Sequence, residues 1–205
     1  SVLLNIRGIK VCYPSTGADL KGLLKAAYYD PNPVVFFEHK GLYWSKVKGT
    51  DAAKTIMPAE DYILPLGKAN IVLQADQTKT DKGETCVVIS YGMGVHWALN
   101  AAKSFEGKVE IIDLRTIYPL DTEMVFESVR KHNRCLVVTE ESINNSFAQG
   151  LAGRIQEECF TSLDAPVMTI GSENLPAIPL NSTLEATIIP SIEKVEAAIG
   201  KLFEF

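Results

Sequence analysis

Tyr91-Gly92-Met93-Gly94 has the placement of a dinucleotide-binding turn, after an apolar run and before a helical pattern. Asp113 lies 21 residues beyond Gly92, where such folds set the acid that holds a ribose. The third glycine of that pattern would stand at position 97, which is Trp97. That glycine lets helix and strand pack closely, so an indole there points to a plain strand-to-helix turn. The three histidines, His39, His96 and His132, are scattered and make neither a triad nor a metal cluster. His39 sits just after an apolar run, a setting suited to acid–base work. His132 stands near a predicted helix end, where a cation suits the dipole. Glu140 and Glu141 end another apolar run. Paired carboxylates can divide acid and base roles, but neighbours at a strand end point to opposite sides, so capping and solvation are expected. Asp30-Pro31-Asn32-Pro33 offers a carboxylate, an amide oxygen and free carbonyls at a helix end, ligands that suit a hard cation. By itself the stretch reads as a turn.

The elements that would position these groups fall into two regions. In residues 1–44, Ile9–Tyr13 reads as a strand, and Leu20, Leu23, Leu24 and Ala27 mark one face of a helix. Pro31 and Pro33 end that helix. Val34–Phe37 then reads as a strand buried on both faces, and strand–helix–strand implies a parallel pair. Residues 45–83 have weak periodicity, with Pro58 and Pro65 as punctuation, and read as a connector whose stretch Gln74–Gly83 is a solvated loop. In residues 84–205, strands at Cys86–Ser90, Val109–Leu114, Cys135–Thr139 and Val167–Ile170 alternate with helices. Asp121 can cap one of these, and Pro190 fits the first turn of the last. The pattern predicts an α/β fold with a mostly parallel sheet and helices on both faces.

Composition narrows the function. The chain has 205 residues, 20 Lys+Arg against 25 Asp+Glu and a net charge of −5, which leaves no basic footprint for nucleic acid or an anionic membrane. No apolar run approaches a membrane span, and the start, Ser1-Val2-Leu3-Leu4-Asn5, lacks the form of a signal peptide. Cys12, Cys86, Cys135 and Cys159 form no CxxC pair and are expected to be buried, reduced thiols of a cytoplasmic protein.

Longer stretches are more specific. Gly8–Ser15, Asp19–Ala27 and Asp30–Tyr43, then Pro65-Leu66-Gly67-Lys68-Ala69, Val88–Gly92 and Ile111–Asp121, closely resemble the beta subunits of thiamine-diphosphate-dependent 2-oxo acid dehydrogenases, branched-chain and pyruvate types. The Asp113-Leu114-Arg115-Thr116 stretch followed by Pro119-Leu120-Asp121 is the most specific part. The resemblance covers essentially the whole chain. It implies a three-layer αβα domain of transketolase C-terminal type over 84–205, joined by the connector to the tail of a pyrimidine-binding domain over 1–44.

The same resemblance implies where the chemistry lies. The glutamate that activates the thiamine and the active-site histidine would precede residue 1, and the diphosphate- and magnesium-binding motif would belong to the alpha part. No Gly-Asp-Gly with a distal Asn occurs here, so this chain is expected to hold no catalytic or cofactor-binding residue and to be inactive alone. The resemblance assigns a structural potassium ion to the Ala27 carbonyl, Asp30 and Asn32. It implies as partners an alpha subunit or alpha region, a second beta subunit and the lipoyl acyltransferase component, with no nucleic acid and no membrane. At Thr139-Glu140-Glu141-Ser142-Ile143-Asn144-Asn145 the chain departs from the family's pattern. Thr139 replaces a histidine and a glycine pair is missing, which leaves local contacts and the choice of 2-oxo acid open. The rival readings are another transketolase-like enzyme, such as a deoxyxylulose-phosphate synthase, and a non-catalytic interaction module of this fold.

Overall fold

Apolar runs without alternation form the interior of the molecule, as strands covered on both faces require. The computed structural model describes residues 2–44 and 47–205. Ser1 and the first two positions of the 45–83 stretch lie outside the described residues. The first region contains β1 (Lys10–Cys12), α1 (Gly17–Tyr29), β2 (Val34–Phe36) and the single turn α2 (Lys40–Tyr43). Thr16 caps α1 by accepting the Asp19 N–H. β1 and β2 pair in parallel, as strand–helix–strand demands. β2 is half-buried along its length, because it is the edge strand of a small sheet, so the expected burial on both faces is not met.

Residues 45–83 hold more structure than a connector. β3 (Asn70–Leu73) pairs antiparallel with a strand of the large sheet, and α3 (Gln77–Asp81) replaces the expected solvated loop because Asp76 caps it by accepting the Lys79 N–H. Beyond lie β4 (Cys86–Ser90), α4 (Met93–Ala101), β5 (Val109–Asp113), β6 (Thr116–Tyr118), α5 (Thr122–His132), β7 (Cys135–Ser142), α6 (Phe147–Cys159), β8 (Met168–Ser172), α7 (Ser182–Ile188) and α8 (Ile192–Leu202).

The large sheet runs β3-β5-β4-β7-β8, parallel throughout except for β3. Successive β4 residues point to opposite faces. Val87 and Ile89 pack with Val125 and Val129 of α5 and Leu151 and Ile155 of α6. Cys86 and Val88 pack with Ala98 and Ala101 of α4 and Val195 and Ile199 of α8. Each such aliphatic side chain contributes about 1.5–3 kcal/mol when fully buried. Asp121 caps α5 as predicted, accepting the Met124 N–H, and Asn133, at φ 61°, ends that helix in the left-handed region. Pro190 precedes α8 instead of entering it, because Ser191 takes the cap by accepting the Lys194 N–H.

The small sheet, β2-β1-β6, is completed from the second region, since β6 pairs antiparallel with β1. Among the described residues, no helix is long and apolar enough to cross a membrane.

Candidate functional site

The glycine turn between β4 and α4 is filled by the protein itself. Gly92 has φ 53°, and a Cβ there would lie 2.7 Å from the Tyr13 ring. A Cβ on Gly94 would strike Ser90 Oγ. Trp97 is buried against the large sheet. Asp113 is fully buried, hydrogen-bonded to Ser15 and accepting the Arg115 N–H. Turn and acid therefore form a packed strand-to-helix corner with no room for a ribose.

The structure places each histidine differently. His96 is buried, its Nε2 lies 2.8 Å from the Ser15 carbonyl, and burial depresses its basicity. His132 is in the last turn of α5 but is sealed inside. Its Nδ1 lies 2.7 Å from Thr85 Oγ1 and its Nε2 3.2 Å from Glu110 Oε1. Ser128 and Lys131 also reach Glu110. Burial works to raise the Glu110 carboxyl, but these partners outweigh it and hold it down at about 2. A glutamate among Val109, Ile111 and Ile112 is the one sequence signal that could have pointed to this cluster.

His39 joins the two regions. Its Nδ1 accepts the Gly41 N–H at 3.1 Å, which leaves the proton on Nε2, 3.2 Å from Glu140 Oε1. The Tyr13 hydroxyl also contacts Glu140, and burial together with that carboxylate pushes the phenol above its ordinary range. Glu141 points elsewhere and accepts the Phe147 N–H at the start of α6. The adjacent acids thus diverge, as neighbours on a strand do. Glu141 serves α6, while Glu140 is engaged by His39 and is not simply solvated.

Tyr13, Phe37, Tyr91 and Phe147 form a chain of ring contacts 5.4–5.8 Å apart and, with Glu140 and Glu141, line a cavity of about 520 Å³. Thr139 stands behind this wall, hydrogen-bonded to the Tyr91 hydroxyl. In the sequence Tyr13 is only a strand end and Tyr91 only the first residue of the glycine turn. They meet only because the turns just after β1 and β4 come together, although the two residues are 78 positions apart.

The Asp30 loop closes on itself. The Asp30 N–H donates to the Ala27 carbonyl at 3.3 Å, and Asp30 Oδ1 accepts from the Asn32 backbone and side-chain amides. Lys10 pairs with Oδ2. Lys10 and Asn32 hold the Asp30 carboxyl below the usual carboxylate range. Ala27, Asp30 and Asn32 are thus linked within one turn, and the Lys10 ammonium occupies the free side of Asp30. Among the described residues, no group of three or more His, Cys, Asp or Glu side chains could hold a metal ion. All four cysteines are free and buried, and burial pushes their thiols up.

Comparison with known proteins agrees with this architecture. Residues 76–195 match the family described as transketolase, C-terminal domain, and residues 1–45 match transketolase, pyrimidine binding domain. The 2-oxoisovalerate dehydrogenase subunit beta of Bacillus subtilis (strain 168) is 40% identical over all of this chain and 59% of its own length. The pyruvate dehydrogenase E1 component subunit beta of Rhizobium meliloti (strain 1021) is 39% identical over 95% of this chain and 40% of its own length. The chain therefore spans about half the length of these curated relatives. A solved structure described as a split gene transketolase, inactive beta4 tetramer, superposes with a TM-score of 0.71 at 17% identity, covering 98% of this chain and 59% of that one, which shows the shared fold. A match over 76–195, more than half of the residues, on the expected mostly parallel sheet, makes this chain a member of the transketolase C-terminal domain family, preceded by a segment of transketolase pyrimidine-binding type.

Proposed function

We propose that this chain is part of the beta component of a thiamine-diphosphate-dependent 2-oxo acid dehydrogenase. That enzyme is a cytoplasmic oxidoreductase that decarboxylates a branched-chain 2-oxo acid or pyruvate and passes the acyl group to a lipoyl acyltransferase. The observation that carries the reading is 40% identity along the whole chain to the beta subunit of a 2-oxoisovalerate dehydrogenase. In this reading residues 1–44 close a pyrimidine-binding domain, 45–83 join it to the rest, and 84–205 form the C-terminal domain. The partners are an alpha subunit or alpha region, a second beta subunit and the lipoyl acyltransferase.

Thiamine diphosphate, when bound with magnesium, supplies the electron sink for decarboxylation. The described residues do not fit that group. The glycine turn is occupied by Tyr13, Asp113 is sealed, and among the described residues no group of three or more His, Cys, Asp or Glu side chains could take a metal. This chain's own part is therefore positioning. His39 and Glu140 tie the first region to the end of β7, and the aromatic wall packs behind that link. The test uses the natural gene product with its alpha partner, thiamine diphosphate and magnesium. Decarboxylation of pyruvate or 3-methyl-2-oxobutanoate with lipoyl acylation is expected. Ketol transfer between sugar phosphates, with no 2-oxo acid turnover, would replace this reading by the transketolase one.

For the loop, we propose a potassium ion held by the Ala27 carbonyl, Asp30 and Asn32. It is supported by their convergence in one turn and by the attraction of Asp30 for the Lys10 ammonium. Potassium is expected to raise the melting temperature relative to choline chloride at equal ionic strength, and Asp30→Ala to abolish the rise. A rise that survives Asp30→Ala removes the site.

A further inference from the structure

Beneath the junction of the two regions, charged groups from separate parts of the chain meet out of water. Asp113, at the end of β5, is 0% exposed, and Asp19 on α1 is 3% exposed. Asp113 Oδ1 accepts the Arg115 N–H at 2.9 Å, and Oδ2 is hydrogen-bonded to Ser15 Oγ. Arg115 Nη2 lies 2.7 Å from Asp19 Oδ1. His96 of α4 holds the Ser15 carbonyl, and the Tyr13 N–H donates to the Arg115 carbonyl at 2.9 Å. Every link crosses from the β1–α1 segment to the region after residue 84, except the turn between Asp113 and Arg115.

The charges in this cluster do not balance. Asp19 and Asp113 bring two carboxylates, and Arg115 brings one guanidinium. Burial disfavours a positive charge on His96, so it is a poor counterion here. Asn70 of β3 and Ser90 of β4, which stand beside Asp113 in the sheet, are uncharged. With both acids ionised, one negative charge is left buried without a counterion, and desolvation makes that costly. A proton is the smallest available counterion. Asp19 faces the guanidinium directly, whereas Asp113 meets only a hydroxyl and a backbone N–H, which makes Asp113 the acceptor.

We propose that Asp113 is a proton-operated latch between the β1–α1 segment and the C-terminal sheet, tightened when it binds a proton and loosened when it releases one. Geometry permits the change without loss of a bond. A protonated Oδ2 donates to Ser15 Oγ while Oδ1 still accepts the Arg115 N–H. Burial, opposed by these hydrogen bonds, pushes the Asp113 carboxyl from an ordinary 3.8 up to about 7. The folded chain therefore binds this proton more tightly than the unfolded one. The stabilisation is complete below about 3.8 and is lost as pH rises through about 7.

The test is carbon NMR of the Asp113 carboxyl in the 205-residue chain, from about pH 4 to about pH 9, with hydrogen exchange at the Tyr13 amide. A titration midpoint near neutrality is expected. Corrected for intrinsic rate, Tyr13 exchange should speed by about tenfold or more between about pH 6 and about pH 8.5, with no such change for Val88 in β4. Asp113→Asn keeps an acceptor and a donor in place but does not titrate, and its Tyr13 exchange should lose the pH dependence. A carboxyl that titrates below about pH 5, or an Asn variant that keeps the wild-type dependence, overturns the latch. The wild-type titration decides the question even if the variant fails to fold.

Discussion

The two sheets use similar apolar residues and end in different surroundings. β4 and β5 are buried at every position, between α5 and α6 on one face and α4 and α8 on the other. β2 is half-buried throughout, and Phe37 beside it is 40% exposed. The cause is cover. The small sheet has α1, which buries only Asp19, Gly22 and Leu23, and it takes its third strand from the other region. One region owns its core, whereas the other is closed by borrowed contacts: β6, Asp113 and Glu140.

The sharpest test of this contrast is Glu110, a charge inside the sealed region. Glu110→Ala leaves the buried His132 and Ser128 without their acceptor and should cost about 3–5 kcal/mol, read from urea denaturation. Its pH dependence runs opposite to that of Asp113 on the same strand. The folded carboxyl titrates at about 2 instead of 4.5, so its stabilisation is present above about 4.5 and fades as pH falls through about 2. Acid denaturation of wild type against Glu110→Gln checks the sign.

Next comes packing. Ile89→Ala in β4 should cost about 2–5 kcal/mol, and Val35→Ala in half-buried β2 under about 1.5 kcal/mol. Equal losses in denaturant midpoint would break the comparison. Asp121→Ala removes both the α5 cap and the acceptor for the Ala69 N–H, and about 1–2 kcal/mol is expected from thermal melting. Phe160→Ser, on an exposed turn, should stay within about 0.5 kcal/mol.

The contrast also marks what the sequence disclosed. The four parallel strands, the Asp121 cap and the helices α4, α5, α6 and α8 were legible because their signals are local: apolar runs, helical spacing and cap residues. β3 and β6 were not. β3 is a half-buried antiparallel edge between Gly67 and Asp76, and the three residues of β6 acquire their meaning from β1, about a hundred positions earlier. At the site, the Asp30 loop was legible as a turn. The links from His39 to Glu140 and from Asp113 to Ser15 were not, since each joins residues about a hundred positions apart that no periodicity connects.

Strand β6 carries a consequence for exchange of parts between proteins. The C-terminal region bears the third strand of its neighbour's sheet. A graft of residues 84–205 onto another pyrimidine-binding segment would bring Thr116-Ile117-Tyr118 with it, in register for Val11 and Cys12. A host that already has a strand there would be offered two, and a host that lacks it would accept only a matching register. Recombination between relatives is therefore constrained at β6 as much as at the chain junction, and the unit inherited together includes β1 and β6.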